Sequence, residues 1–198
     1  SVSAFNSTSF VIGFEDIPSG NIDFRTYSIS GTAISAQTTA DSVGAQSHAV
    51  SVAALNTTAF AIGWFDYSNG HITFRTYSIN GTAISAETDV DTDVGLTSQS
   101  VSVSAINDSA FVIGYYDATD GDTTFAGYNV GGSSFLSATD ADLTAQAYQE
   151  VASYASSTNT KICNDNFVFG WTGGGTLIKS HSATYFKNGT TWNGDCSV

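Results

Sequence analysis

Short apolar segments alternate with polar ones along this chain, and the same series of segments returns four times. In the second copy, Phe60 to Phe65 contains no polar residue, whereas His71 to Ile79 alternates polar and apolar residues. Alternation with a period of two predicts β-strands, and no segment shows the 3.6-residue period of an amphipathic helix. We therefore predict an all-β fold.

The most regular element of the repeat is an apolar pentapeptide with glycine at its fourth position. It occurs at Phe10–Phe14, Phe60–Trp64, Phe111–Tyr115 and Phe167–Trp171. Successive copies start 50, 51 and 56 residues apart, a period typical of propellers and solenoids. We assign residues 1–198 to a single domain. Its predicted repeats are about 1–47, 48–98, 99–147 and 148–198, of which the last diverges most.

Each repeat is predicted to contain four strands separated by polar turns. In the second copy these strands are Val50–Leu55, Phe60–Phe65, His71–Ile79 and Thr82–Thr88. Asn-Gly pairs in two of the turns favour the positive φ of tight hairpins.

The second strand is apolar on both faces, which predicts sheets that are covered on both sides. Its recurrent glycine indicates close approach of another backbone. Small sheets stacked around an axis meet both conditions, so we predict a β-propeller of four four-stranded blades. One alternative is half of a larger propeller completed by a second chain. The other is a β-sandwich, which would expose one face of most strands.

The motif Ser-Val-Ala-Ala-Leu-Asn-x-x-x-Phe-Ala-Ile-Gly-Trp-x-Asp, which starts at Ser51, resembles the repeats of large secreted bacterial and archaeal β-propeller proteins. The resemblance covers residues 1 to about 140 well and the last copy poorly. It implies a propeller fold and a location outside the cell. It implies no activity, because propellers host many unrelated functions.

The net charge of −13 argues against two classes of partner. Nucleic acids and anionic membrane surfaces attract clustered Lys and Arg, of which the chain has only five in total. No apolar run approaches the roughly 18 residues that a membrane helix needs, so no membrane insertion is predicted. A polar but weakly charged surface suits a secreted protein.

The two cysteines, Cys163 and Cys196, both lie in the fourth copy. In an oxidising compartment they are predicted to form a disulfide that pins the end of the chain onto its own sheet. The alternative is a pair of buried thiols.

An aromatic residue followed by an acid ends the second strand in three copies. The candidate ligand-binding residues are Phe14 and Asp16, Trp64 and Asp66, and Tyr115 and Asp117. An aromatic face beside a carboxylate suits a sugar, and repeated weak sites suit a multivalent lectin. In the competing interpretation, the aspartates cap their own turns and the aromatic rings belong to the core.

Spaced acids at Asp117, Asp120 and Asp122 suggest a calcium site, although they are too few for a complete loop. The competing interpretation is a solvated acidic turn. No other cofactor is predicted.

Five N-glycosylation sequons begin at Asn6, Asn56, Asn80, Asn107 and Asn188. Three of these, Asn6, Asn56 and Asn107, occupy the same turn of successive copies. The competing interpretation is asparagine used as a turn residue.

Nothing in the sequence predicts catalysis. His48, His71 and His181 occupy three different repeat positions. We therefore expect a non-catalytic extracellular module that binds a glycan or a surface protein. The alternative is a self-assembling structural subunit of a filament, sheath or surface layer, since an unpaired sheet edge invites another chain.

Overall fold

The computed structural model describes residues 1–42, 49–95, 100–142, 151–155, 166–173, 179–186 and 191–192, and side chains within 1–42, 49–95, 100–121 and 124–138. Every regular element in these ranges is a β-strand, which confirms the all-β fold. The strands are β1 Val2–Asn6, β2 Ser9–Asp16, β3 Asn21–Ser28, β4 Thr38–Ser42, β5 Val50–Ala54, β6 Ala59–Asp66, β7 His71–Ser78, β8 Thr88–Asp91, β9 Val101–Asn107, β10 Ala110–Asp117, β11 Asp122–Asn129, β12 Ser134–Asp142, β13 Val151–Ala155, β14 Asn166–Gly173, β15 Lys179–Phe186 and β16 Thr191–Trp192.

The strands form four antiparallel sheets, each made of four strands paired in chain order. We call them the first to fourth sheets. The mid-strand glycine pairs with a phenylalanine of the third strand in the first three sheets, as Gly63 does with Phe74. In the fourth sheet Gly170 pairs with Ser182 instead. The repeat in the sequence is therefore a repeat of strand register.

The first three sheets stack face to face and bury a core between each neighbouring pair. Every residue of β6 is buried, as its uninterrupted apolar sequence predicts. Phe60, Ile62 and Trp64 belong to the core shared with the first sheet, whereas Ala61 and Phe65 belong to the core shared with the third. Because the middle sheet is covered on both faces, the arrangement is propeller-like and differs from a two-sheet sandwich.

Close approach of neighbouring sheets explains the mid-strand glycines. A Cβ atom on Gly13 would lie 2.5 Å from Val52 Cγ1. One on Gly63 would lie 2.7 Å from Ile113 Cδ1 and 2.8 Å from Val103 Cγ2. All three distances are shorter than carbon atoms in contact allow, so a neighbouring sheet does approach closely at these two positions. The approaching atoms belong to side chains, however, and not to another backbone as predicted.

Serine and threonine hydroxyls link one sheet to the next through hydrogen bonds. Ser1 Oγ accepts from the Val52 N–H at 3.2 Å, and Ser51 Oγ accepts from the Val103 N–H at 3.0 Å. On β3, the third strand of the first sheet, the Thr26 hydroxyl donates to the carbonyl of Ile79, which follows β7 of the second sheet, at 2.7 Å. These serine and threonine side chains thus satisfy backbone groups of the neighbouring sheet.

The outer strand differs from its prediction. We expected Thr82–Thr88, whereas β8 spans Thr88–Asp91. The reason lies at Ser85, whose hydroxyl accepts the Thr76 N–H at 3.1 Å and donates to the Ala86 carbonyl at 2.7 Å. A buried side chain therefore replaces the ladder that a longer strand would have formed with β7.

The described sheets form a series with two ends. The innermost strands pack in sequence, β1 against β5, β5 against β9, and β9 against β13. No comparable packing joins β13 to β1 among the described strands. Among the described residues, the first sheet is therefore covered on one face only.

Candidate functional site

Two of the three aromatic rings predicted to stack on a sugar are buried. Trp64 and Tyr115 are both 0% exposed. The Trp64 indole N–H donates to Asp41 Oδ2 at 3.1 Å, and the Tyr115 hydroxyl donates to Asp91 Oδ2 at 2.9 Å. Each ring thus anchors its own sheet to the outer strand of the preceding one. The sugar-stacking prediction is wrong at these two positions, because neither ring presents a face to solvent.

The acids that follow these aromatic residues are bound to their own turns. Asp66 Oδ1 accepts from the Ser68 N–H at 2.9 Å and from the Ser68 hydroxyl at 2.6 Å. Asp16 Oδ2 accepts from the Ser19 hydroxyl at 2.7 Å. Capping of this kind is the competing interpretation of the aromatic-acid motif.

The calcium prediction meets a competing use of Asp117. Its Oδ1 accepts the Thr119 N–H at 2.8 Å and the Asp120 N–H at 3.4 Å, and burial raises the pKa of this carboxyl. Within the described residues, no group of three or more His, Cys, Asp or Glu side chains is placed to hold a metal ion. The Asp122 side chain lies outside the described residues, so calcium binding stays a prediction.

The sequon asparagines of the recurring turn have a structural role. The Oδ1 atoms of Asn6, Asn56 and Asn107 each accept the backbone N–H and the hydroxyl of the sequon Thr or Ser, at 2.8 to 3.1 Å. Asn56 Nδ2 also donates to the Asp108 carbonyl of the next sheet at 2.7 Å. Asn80 is exposed, and glycosylation of these residues stays a prediction.

Three predicted site residues lie outside the described residues. These are Asn188 and the two cysteines, Cys163 and Cys196. The disulfide therefore stays a prediction. In the part of the chain that the structure describes, no helix has the length and apolarity to cross a bilayer.

The residues best placed to meet a partner lie on the uncovered side of the first sheet. We call this surface the open face, and its members are Val2, Phe10, Ile12, Phe14, Asp23, Arg25, Tyr27 and Ile29. Val2 is 66% exposed, whereas its counterparts Val52 and Val103 are 5% and 6% exposed. Ile29 is 72% exposed, whereas its counterpart Ile79 packs against the core between the first and second sheets.

The aromatic rings of the open face are arranged as in the covered faces. Phe10 and Tyr27 stack with centroids 5.6 Å apart and an interplanar angle of 20°. The buried pair Phe60 and Tyr77 stacks at 5.8 Å and 23°. The two rings of the open face are thus stacked in the same way as the two rings buried between the first and second sheets.

The arginine of the open face is also positioned as in a covered face. Arg25 Nε donates to the Ser35 carbonyl at 3.3 Å, and its guanidinium carbon lies 5.5 Å from the Tyr27 ring centroid. Arg75 makes the same hydrogen bond at 3.3 Å, to Ser85, and lies 5.6 Å from the Tyr77 ring. A side chain already held in place loses little freedom on binding.

One carboxylate of the open face is buried and incompletely bonded. Asp23 is 2% exposed, its Oδ2 accepts from the Gln37 side-chain amide, and its Oδ1 has no hydrogen-bond partner. The counterpart in the second sheet is Thr73, which donates to Asp89. A buried oxygen without a donor is costly, so Asp23 lowers the stability of the first sheet at this position.

Sequence reasoning missed Asp41 and Asp91, which bind the buried rings. Their 50-residue separation was an available signal, since it equals the spacing of the first two repeats. The open face had no signal of its own, because each of its residues also fits the pattern of a covered sheet.

Comparisons with known proteins support the fold and leave the function open. No family model matches the chain, and no curated protein sequence matches it either. One similar solved structure comes from a structural and mechanistic study of two prolyl endopeptidases and the role of inter-domain dynamics in their catalysis and specificity. It aligns with a TM-score of 0.52 at 12% identity, over 100% of this chain and 34% of that chain. At this identity the likeness shows the fold alone.

Proposed function

We propose that this chain is a non-catalytic, extracellular assembly module that binds another protein through the open face of its first sheet. The single observation that carries the proposal is the difference in exposure between Val2, at 66%, and Val52 and Val103, at 5% and 6%. These valines hold one position of the repeat, and that position packs against a neighbouring sheet in the second and third copies.

The chemistry of the open face supports a protein partner. Val2, Phe10, Ile12 and Ile29 provide apolar area whose removal from water drives association. Among the members of this face, Asp23 and Arg25 are the charged residues, and their charges cancel. The face therefore lacks the excess negative charge of the whole chain, which is −13.

This proposal corresponds to the structural alternative of the sequence analysis, with glycan binding as its competitor. A lectin with repeated aromatic sites loses its basis, since Trp64 and Tyr115 are 0% exposed. Phe14 and Asp16 are the one predicted pair in which both residues are partly exposed. A glycan would therefore have one such site on this chain.

A charge placed in the centre of the open face tests the proposal. We expect Ile12→Glu to weaken binding of a purified protein partner by at least about tenfold, because it replaces an apolar contact by a carboxylate that must lose its water even beside its cross-strand neighbour Arg25. Ile17→Glu is the matched control, since Ile17 is 70% exposed in the turn after β2 of the same sheet.

The location of the contact is read by hydrogen exchange. Partner binding should slow exchange of amides in residues 2–14 and leave the third sheet unchanged. A partner that binds both variants equally, or protects a different segment, overturns the proposal. Binding of a glycan with the same sensitivity to Ile12→Glu would establish the competing function.

A further inference from the structure

We infer that the open face accepts a β-sheet of the same repeat type that lies outside residues 1–198. This sheet presents a phenylalanine opposite a mid-strand glycine. The inference rests on the proposed function and names the class of partner. It follows from what covers the matching faces of the second and third sheets.

In both covered faces, one phenylalanine of the preceding sheet packs against the stacked aromatic pair. Phe24 of the first sheet lies with its ring centroid 5.0 Å from Phe60 and 4.4 Å from Tyr77. The next interface repeats the arrangement, because Phe74 lies 5.1 Å from Phe111 and 4.4 Å from Tyr128. The third ring of each cluster thus always comes from the neighbouring sheet.

On the open face, the pair Phe10 and Tyr27 has the same stacked geometry, and no third ring joins it among the residues whose side chains the structure describes. Aromatic clusters contribute about 0.5–1.5 kcal/mol per ring pair beyond the area they bury. A partner that supplies this ring completes a contact whose other half is already formed.

The isoleucine of the open face also limits which residue can lie opposite it on the incoming sheet. Ile113 Cδ1 would lie 2.7 Å from a Cβ on Gly63, so the isoleucine occupies space that only glycine leaves free. Ile62 has the same relation to Gly13, at 3.3 Å. Ile12 is their counterpart on the open face, so a glycine on the strand opposite it would leave the same space for its side chain.

The fourth sheet of this chain lacks the required phenylalanine. Gly170 stands at the register position of Gly13 and Gly63, but its cross-strand partner is Ser182. In the first two sheets that position holds Phe24 and Phe74. A fourth sheet placed against the open face, from this chain or from a second copy, therefore offers no phenylalanine at the position of Phe24.

At Phe14 and Asp23 the open face differs in polarity from the interfaces between the sheets of this chain. Internally the preceding sheet brings an acid, Asp41, and the following sheet brings the donor, Trp64. On the open face Phe14 has no donor, and the residue paired with it across the strands is Asp23. The negative charge of Asp23 at this corner disfavours another carboxylate on the incoming sheet.

The test extends the full chain by one repeat placed directly before Ser1. One extended protein carries a copy of residues 51–101, which keeps the natural spacing because Ser1 corresponds to Ser102. A second carries a copy of residues 152–198 from the fourth repeat. A third carries the first extension with Phe74→Ala in the added copy, and a fourth carries it with Asp91→Asn, which replaces the acid by an amide donor.

We expect the first extension to slow hydrogen exchange in β1 and β2 by at least about tenfold, and Asp91→Asn to slow it further. The extension from the fourth repeat and the Phe74→Ala extension should leave exchange close to that of the original chain. If the fourth-repeat extension protects as well as the first, the phenylalanine requirement is wrong while the docking face stands. If no extension protects β1 and β2, the proposed function fails as well.

Sedimentation of the unextended protein tests whether a second copy of this chain is the partner that covers the open face. We expect a monomer of 20.6 kDa. Concentration-dependent self-association that Ile12→Glu abolishes and Ile17→Glu preserves would make a second copy the occupant and overturn the inference.

Discussion

The open face of the first sheet has nearly the same sequence as the matching face of the second sheet, which packs against the first. The side chains of the two faces differ strongly in exposure to solvent. Phe60 and Ile62 are 0% exposed, whereas their counterparts Phe10 and Ile12 remain partly exposed. The internal geometry is nonetheless shared, as the stacked ring pairs at 5.6 and 5.8 Å show. The local arrangement of such a face therefore comes from its own sheet, while its burial depends on a neighbour.

The two exceptions to this likeness are as informative as the likeness itself. Phe14 stands where the second sheet has Trp64, and Asp23 stands where it has Thr73. Both differences lie at the corner where the internal interface joins an indole N–H to Asp41. The first sheet has lost the donor that pairs with such an acid and has gained an acid of its own.

The largest expected effect comes from truncating one ring in each region. Phe60→Ala should lower the free energy of unfolding by about 3–5 kcal/mol, because a fully buried ring leaves a cavity between two sheets. Phe10→Ala should cost about 1 kcal/mol, since part of its ring already faces solvent. Chemical denaturation of both variants measures the difference. Equal losses would mean that the open face is covered in the isolated protein.

A smaller effect is expected from removing the hydrogen bond between Trp64 and Asp41, which has no equivalent at Phe14 in the first sheet. Trp64→Phe keeps an aromatic ring but deletes the indole N–H that Asp41 Oδ2 accepts at 3.1 Å. We expect a loss of about 1–2 kcal/mol, because the partly buried carboxylate loses a donor. The reverse change, Phe14→Trp, should leave thermal stability nearly unaltered. Stabilisation by Phe14→Trp would show that the new indole N–H reaches an acceptor of the first sheet itself, such as Oδ1 of its cross-strand neighbour Asp23.

The smallest expected effect is a dependence of stability on pH. Burial raises the pKa of Asp41, Glu87 and Asp117 above the ordinary value, so the folded state binds protons more readily than the unfolded chain. Their contribution to stability is therefore complete below the unfolded pKa and is lost as pH rises through the folded pKa. The melting temperature should rise modestly between pH 7 and about pH 4.5.

The variant Asp41→Asn checks this attribution. The amide oxygen still accepts from Trp64, but the group no longer titrates, so the rise in melting temperature should shrink. An unchanged rise would assign the effect to the general relief of repulsion in a chain with a net charge of −13.

The sequence by itself determined the strands, the repeat and the capacity of the second strand to be buried on both faces, which β6 realises and β2 does not. These features follow from local pattern, since Phe60 to Phe65 has no polar residue and the polar turns on either side end the strand. The mid-strand glycines were also predictable, because only a close neighbour explains a glycine in such a strand. Sequence alone misplaced the outer strand, since the role of Ser85 depends on a hydrogen bond to Thr76 on another strand.

Only the tertiary structure decided which aromatic residues are accessible and which face is open. Trp64 and Phe14 hold the same repeat position, and no local pattern distinguishes a ring that a neighbouring sheet covers from one that it leaves uncovered. Asp41 lies 23 residues from Trp64 in the chain and on a different sheet, so their hydrogen bond exists only once the sheets have stacked. Burial is a property of pairs of sheets, whereas the pattern along one strand reports only which residues can be buried.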